Sequence, residues 1–154
     1  MSYAYERVSI NFMDKHEELF LETMERTDVN GWESDGGGLL FKTYTVQEVD
    51  DSSIDAFLDA LLEAGIAYDA EYVSGHSDGC WVTHWRFTDA GLLVDKTVYE
   101  NDNFLQVVEL MHLINDEKAL TDYILKAHKN LYVIPWDKQD EYGKLFQMKQ
   151  LIAA

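Results

Sequence analysis

Four carboxylates at intervals of four residues are the side chains of this chain best suited to bind a partner through charge. Asp51, Asp55, Asp59 and Glu63 fall within one predicted helix, and the stretch Thr43–Trp85 contains nine carboxylates but no lysine or arginine. Like charges spaced i,i+4 destabilise a helix by a few tenths of a kcal/mol, so helix stability does not explain this acidic row.

The spacing of the acidic row resembles that of phosphates along a nucleic acid. Four residues of helix rise about 6 Å, and duplex phosphates on one strand rise about 3.4 Å each while also rotating about the axis. We therefore predict a face that imitates a DNA strand toward a protein with a basic groove. Its predicted residues are Asp50, Asp51, Asp55, Asp59, Glu63, Asp69 and Glu71. A solvated polar face in an acidic protein is the other interpretation, and it stays open.

A second set of regularly spaced residues has side chains that bind metals. His76, Cys80 and His84 lie four residues apart around a predicted hairpin. Zinc accepts histidine and cysteine, but a structural zinc site takes four ligands and no fourth can be assigned here. Spacing by four also suits a helix face better than a hairpin. We predict no metal site, and a metal-dependent enzyme centred on these three residues is the weaker alternative.

Other motifs of catalysis and cofactor binding are missing from the sequence. Asp28, Asn30, Glu33 and Asp35 resemble a calcium loop only loosely, because Glu33 stands where that loop requires glycine. The glycines at 36–38 are not followed by the G-K-[ST] of a phosphate loop, and there is no G-x-S-x-G elbow. We predict no catalytic residue and no cofactor.

Composition indicates one folded acidic domain. The chain has 154 residues, a formal net charge of −17 and 47% hydrophobic residues. Such a charge repels nucleic acid and anionic membranes and attracts basic proteins, so we expect no direct contact with either of the first two. Cys80 is the only cysteine, and with no signal peptide expected at the N-terminus this favours a cytoplasmic protein. No apolar run approaches the roughly 20 residues of a membrane span.

Hydrophobic periodicity predicts an α+β fold with a mainly antiparallel sheet of four to five strands and helices packed on one face. The predicted strands are Tyr5–Phe12, Leu39–Val46, Ala67–Val73, Cys80–Phe87 and Leu92–Tyr99. Helices are predicted from Asp14 to about Thr27, from Ser52 to Gly65, from Phe104, from Asp116 to Ala127, and after Asp137. We predict one domain, 1–154, with a core at 36–100 and C-terminal helices at 103–154. Those helices either cover the sheet or form a dimer interface.

Three helix ends carry recognisable capping residues. Asp14 and Glu17 are spaced as a capping box, Ser52 or Ser53 can cap the next helix, and Gly65 fits the C′ position after it. The helix that ends at Gly65 has its apolar residues at i, i+3, i+4, i+7 and i+8, which predicts one buried side.

The aromatic strand at 80–87 predicts which side of the sheet is covered. Trp81, Trp85 and Phe87 alternate with His84 and Arg86. The aromatic side is predicted to face the helices, and the opposite side, with His84 and Arg86, to meet solvent.

Residues 36–95 carry a resemblance to a known family. They read GGGLLFKTYT, then the helix SSIDAFLDALLEAG, then YDAEYVSGHSDGCWVTHWRFTDAGLLVD. This pattern is similar to the ferredoxin-like domain of uncharacterised plasmid- and phage-borne proteins. The resemblance implies a ferredoxin-like centre and an origin on a mobile element, and it supplies no catalytic residues.

Two functions outside catalysis follow from these patterns. The first is a non-enzymatic acidic protein that occupies the basic groove of a host nucleic-acid-binding or defence protein, as an inhibitor or DNA mimic. The alternative is a small structural or regulatory homo-oligomer. Its interface would use the last helix, through Tyr142, Phe146 and Ile152.

Overall fold

A computed structural model describes residues 4–76, 79–100 and 107–154, with the backbone alone at 128, 130 and 131. One antiparallel sheet has the strand order β2-β3-β1-β4-β5-β6. The strands are β1 Tyr5–Met13, β2 Glu33–Ser34, β3 Phe41–Val49, β4 Tyr68–Ser74, β5 Cys80–Phe87 and β6 Leu93–Tyr99. The predicted α+β class is confirmed, and β2 makes the sheet slightly larger than predicted.

The described part of the chain also contains five α-helices. They are α1 Glu17–Arg26, α2 Asp51–Glu63, α3 Val107–Leu113, α4 Glu117–Leu131 and α5 Gln139–Ala153. The predicted start of α3 at Phe104 lies outside the described residues, and so do residues 77 and 78 between the strands predicted at 67–73 and 80–87. None of the described helices has the length and apolar character to cross a membrane.

The core lies between one face of the sheet and helices α1 and α2. Alternate residues of β1, which are Val8, Ile10 and Phe12, are completely buried there. The ring of Phe20 from α1 stacks on Phe12 at 4.3 Å and meets Phe57 of α2 edge-on at 5.3 Å. Burial of one such side chain contributes about 1.5–3 kcal/mol, so these contacts fix α2 firmly on the sheet.

Helix α2 connects two strands that point in the same direction. Strands β3 and β4 are each antiparallel to β1, which lies between them, and this is a split β-α-β arrangement. Gly65 follows α2 with φ of +77°. Its N–H donates to Leu62 O and the next N–H, of Ile66, donates to Leu61 O. This is a Schellman motif, so the prediction of Gly65 at C′ is confirmed.

Two predicted N-caps are wrong. Residue 50, not a serine, precedes α2, and Ser53 Oγ donates to the Asp50 carbonyl instead of accepting from the helix. Before α1, Asp14 lies in a 3-10 turn and Glu17 accepts a hydrogen bond from the Tyr44 hydroxyl at 2.9 Å. Contacts with β3 therefore replace the local capping box. Asp116 caps α4, because its carboxylate accepts from Ala119 N.

Helix α5 closes one end of the core. Gln139 is fully buried and its amide bonds both the N–H and the carbonyl of Phe87, at 2.6 and 2.8 Å. Phe146 packs on the Phe87 ring at 5.0 Å, and Tyr142 also packs against the core. The predicted apolar interface on this helix is thus wrong in part, since two of its three residues contact the chain's own core. Only Ile152, which is 81% exposed, is free of it.

Candidate partner-binding face

The acidic row runs along the exposed flank of α2. Asp51, Asp55, Asp59 and Glu63 are all exposed, while the side of α2 that contains Phe57 packs on the sheet. The twelve residue steps from Asp51 to Glu63 span about 18 Å of helix. Because α2 is fixed by its packing and by its C-terminal motif, the four charges are held in a constant arrangement.

No cation neutralises the acidic row within the part of the chain that the structure describes. The ion pairs found there involve other carboxylates, such as Asp140 with Lys15 at 3.0 Å and Glu71 with Arg7 at 2.8 Å. Among the described residues, the row interacts with tyrosine side chains: Asp51 with the Tyr5 hydroxyl, and Asp55 through its charge with Tyr72. Its four formal charges therefore remain available to a partner.

The structure separates two of the seven predicted binding residues from the row. Asp50 is exposed and directly precedes α2. Asp69 and Glu71 lie on the opposite face of the sheet, because Ala70 between them is buried on the helix side. Both form ion pairs there. The candidate binding face is therefore limited to Asp50 and the acidic row.

An acid-lined cleft adjoins the first turn of α2. Its volume is about 590 Å³, and its lining includes Asp50 and Ser53 of the α2 start. The other acidic lining residues are Asp28, Glu33, Asp35 and Glu48. The sequence does not reveal this cleft, because only the pairing of β2 with β3 brings residues 28–35 beside the β3–α2 junction. The cleft extends the negative surface beyond the acidic row.

A cluster of half-buried aromatic rings borders the row on its other side. Tyr5 lies 5.0 Å from Tyr72 and 6.0 Å from Trp81, and Tyr72 stacks on Trp81 at 5.5 Å. All three lie on the helix side of the sheet, as the sequence predicts for Trp81. The hydrogen bond from Tyr5 joins this cluster to Asp51 of the row.

The field of the acidic row acts on these tyrosines. Burial, together with the smaller effect of the negative charges of Asp55 and Asp51, raises the pKa of Tyr72 to about 12, because both disfavour a phenolate. Burial likewise raises the pKa of Tyr5, and Asp51 adds to that effect through its hydrogen bond and charge. The carboxylates thus contribute to a measurable property of their neighbours.

Replacing Asp55 with asparagine is expected to lower the pKa of Tyr72. The stability that the protonated phenol contributes is fully present below about pH 10 and is lost as the pH rises through about 12. Ultraviolet titration of the wild type and of Asp55→Asn measures the change, with Tyr72→Phe to assign the transition. Glu22→Gln, on the exposed side of α1, is the control that should have no effect. An unchanged pKa in Asp55→Asn would show that the row's field does not reach the aromatic cluster.

The opposite face of the sheet contains a buried ion cluster. Asp69 Oδ1 forms an ion pair with Arg86 Nη1 at 2.8 Å and lies 2.7 Å from His84 Nδ1. The Arg86 guanidinium lies 3.7 Å from the centre of the Trp136 ring, and its Nε donates to the Ile134 carbonyl. Arg86 is only 3% exposed. The prediction that this face meets solvent at Arg86 is therefore wrong, because residues 132–136 cover it.

This cluster is better explained as an anchor than as a catalytic site. A carboxylate that orients a histidine is half of a nucleophilic pair, which also requires a hydroxyl or thiol within reach. His84 borders a cleft of about 180 Å³. Among the described residues that line the cleft there is no serine, threonine or cysteine, and the one hydroxyl is the phenol of Tyr132. The ion cluster instead connects residues 132–136 to β4 and β5.

The predicted metal alternative meets a geometric obstacle. Cys80 and His84 lie on one strand, where four residues span about 13 Å, so one ion cannot bind both side chains. His76 is exposed in the turn before the strand. Within residues 4–76, 79–100 and 107–154, no group of three or more histidine, cysteine or acidic side chains is placed to hold a metal ion, and this includes the acidic loop at 28–35.

Comparison with known proteins adds no relative. No family model matches this sequence, and no curated protein or solved structure is significantly similar to it. The resemblance of residues 36–95 to a ferredoxin-like family stays a prediction. Function has to be inferred from the residues of the site itself.

Proposed function

We propose that this protein is a non-enzymatic binding protein whose acidic row occupies a basic, nucleic-acid-binding groove of a partner protein. The observation that carries the proposal is the row of four exposed carboxylates along about 18 Å of one helix, with no described cation in an ion pair with any of them. The partner is a host nucleic-acid-binding or defence protein if the chain comes from a mobile element. In that role it acts as an inhibitor or DNA mimic.

The physical basis of the proposed binding is charge complementarity on a rigid support. Lysines and arginines that line a nucleic-acid groove are spaced to meet phosphates, and the row presents negative charges at a comparable spacing. Because α2 is already ordered by its buried side, little conformational entropy is lost when the row is bound. Complementary charges of this kind mainly accelerate encounter and select the partner.

The acidic cleft beside α2 strengthens this proposal. A flat row of carboxylates would recognise any cationic surface, whereas a cleft of about 590 Å³ can admit a single lysine or arginine side chain. Asp50 belongs to the cleft lining and directly precedes the acidic row. The cleft and the row together therefore form one negative surface with a defined shape.

Capture from a lysate of the host cells tests the proposal. The bait is the wild type, beside a neutral variant of equal size with Asp51→Asn, Asp55→Asn, Asp59→Asn and Glu63→Gln. We expect a basic nucleic-acid-binding protein that is retained at low salt by the wild type alone and released by a salt gradient. The neutral variant should be at least as stable as the wild type, since its like-charge pairs are gone. Equal retention of the same proteins by both baits would refute the proposal.

A further inference from the structure

The hairpin of α3 and α4 has a large exposed apolar surface. On α3 and just after it, Val107, Val108, Met111 and Ile114 are between 64% and 69% exposed. On α4, Ile124 and Leu125 are also exposed. Isolated exposed apolar residues are normal, but a contiguous group on two neighbouring helices indicates an interaction surface.

The described core does not include this hairpin. The two helices contact each other, and no described residue of either belongs to the buried core or to the side chains packed against it. A helix of 7 residues beside one of 15 is marginal in water without tertiary packing. The hairpin is therefore completed by another surface.

The distribution of charge indicates that a second copy of this chain is the occupant. Residues 1–106 contain 22 acidic and 6 basic residues, a formal charge of −16. Residues 107–154 contain 7 acidic and 6 basic residues, a charge of −1. Two copies that met through their acidic parts would repel each other, while the hairpin combines a large apolar surface with nearly balanced charge.

The exposed area also suits a dimer. The six apolar residues present on the order of 700 Å², close to the roughly 800 Å² that each partner buries in a standard interface. Two identical hairpins can pair about a two-fold axis into a four-helix bundle, in which each apolar surface covers the other. We infer that α3 and α4 form the interface of a homodimer. This surface shares no residue with the acidic row, so the inference does not depend on the proposed function.

Molar mass in solution tests the dimer. Light scattering during size-exclusion chromatography, at high salt to screen the acidic surfaces, is expected to give twice the 17.8 kDa mass of the chain. The variant Met111→Glu with Leu125→Glu places carboxylates in the proposed interface, and we expect it to raise the dissociation constant at least about 100-fold. A control variant, Met148→Glu with Leu151→Glu, alters equally exposed residues of α5 and should stay dimeric.

Tryptophan fluorescence and near-ultraviolet circular dichroism report on folding of the sheet, where Trp81 and Trp85 lie. Both spectra should be the same in the two variants and the wild type. A milder variant, Met111→Gln with Leu125→Gln, should weaken the dimer by a smaller factor. A wild type that is monomeric at every concentration, or a dimer that only the α5 variant disrupts, would overturn the inference.

Discussion

Changing Asp55, Asp59 and Glu63 to lysine is expected to abolish binding of the partner and to leave the fold intact. All three side chains are exposed and have no cationic partner among the described residues, so their loss removes no ion pair. The substitution places three positive charges against a basic groove, and like charges across an interface cost several kcal/mol. Because 1.4 kcal/mol corresponds to a factor of ten, we expect affinity to fall at least about 100-fold.

A matched control separates the position of the charges from their number. Glu18, Glu22 and Glu25 are exposed on α1, and changing them to lysine alters the formal net charge by the same amount, from −17 to −11. We expect the affinity of the α1 variant for the partner to fall less than about 5-fold. A loss of that size is the effect that a change in net charge has on the rate of association. Calorimetry at fixed ionic strength, with circular dichroism to verify the fold, measures both. Equal losses in the two variants would mean that only net charge matters and that α2 is no specific site.

Replacing Arg86 with methionine is expected to lower the free energy of unfolding by about 3–5 kcal/mol, because it breaks an ion pair whose guanidinium is buried and leaves Asp69 without that partner. The guanidinium bonds Asp69 at 2.8 Å and the Ile134 carbonyl at 2.9 Å, and it stacks on Trp136. Methionine fills the same space but donates no hydrogen bond. Residues 132–136 should then detach from the sheet. Urea denaturation followed by tryptophan fluorescence measures the change.

Arg7 provides the comparison for this prediction. Its ion pair with Glu71 also has a length of 2.8 Å and also lies on the side of the sheet away from the helices. Its side chain is 44% exposed, however, and exposed pairs contribute less than about 1 kcal/mol. Arg7→Met should therefore have little effect on the urea midpoint. If Arg86→Met were as mild as Arg7→Met, the buried cluster would not be an anchor.

The parts of the fold that follow from local pattern could be predicted from the sequence. The apolar periodicity of residues 54–62 and the glycine at 65 specify both the buried side and the end of α2. The exposure of the acidic row follows from the same periodicity, since positions four apart share a helix face. Val8, Ile10 and Phe12 alternate and are buried together.

Features that depend on contacts between distant residues could not be predicted. In the alternating pattern of β5, Arg86 falls on the side that is predicted to face solvent. It is buried because residues 132–136 return over that side of the sheet. Asp69 and Glu71 are close to the row in sequence, but the register of β4 with β1 places them on the other face. Glu17 forms no capping box because its carboxylate accepts a hydrogen bond from Tyr44, which is distant in sequence.

An amphipathic helix in a sequence does not reveal what covers its apolar side. Tyr142 and Phe146 of α5 have the pattern of an interface but pack on the core of their own chain. Met111 and Ile114 have a similar pattern and are exposed. The difference depends on where each helix lies against the sheet, which periodicity alone does not contain.

We propose that the acidic row occupies the groove in which the partner binds nucleic acid. Competition with duplex DNA for the captured partner is the most direct measurement. We predict that DNA displaces the wild-type protein, that the protein displaces DNA in turn, and that no complex contains all three molecules. The α1 variant should compete as the wild type does, and the Asp55→Lys, Asp59→Lys, Glu63→Lys variant should not compete. A stable complex of partner, DNA and this protein would contradict the claim.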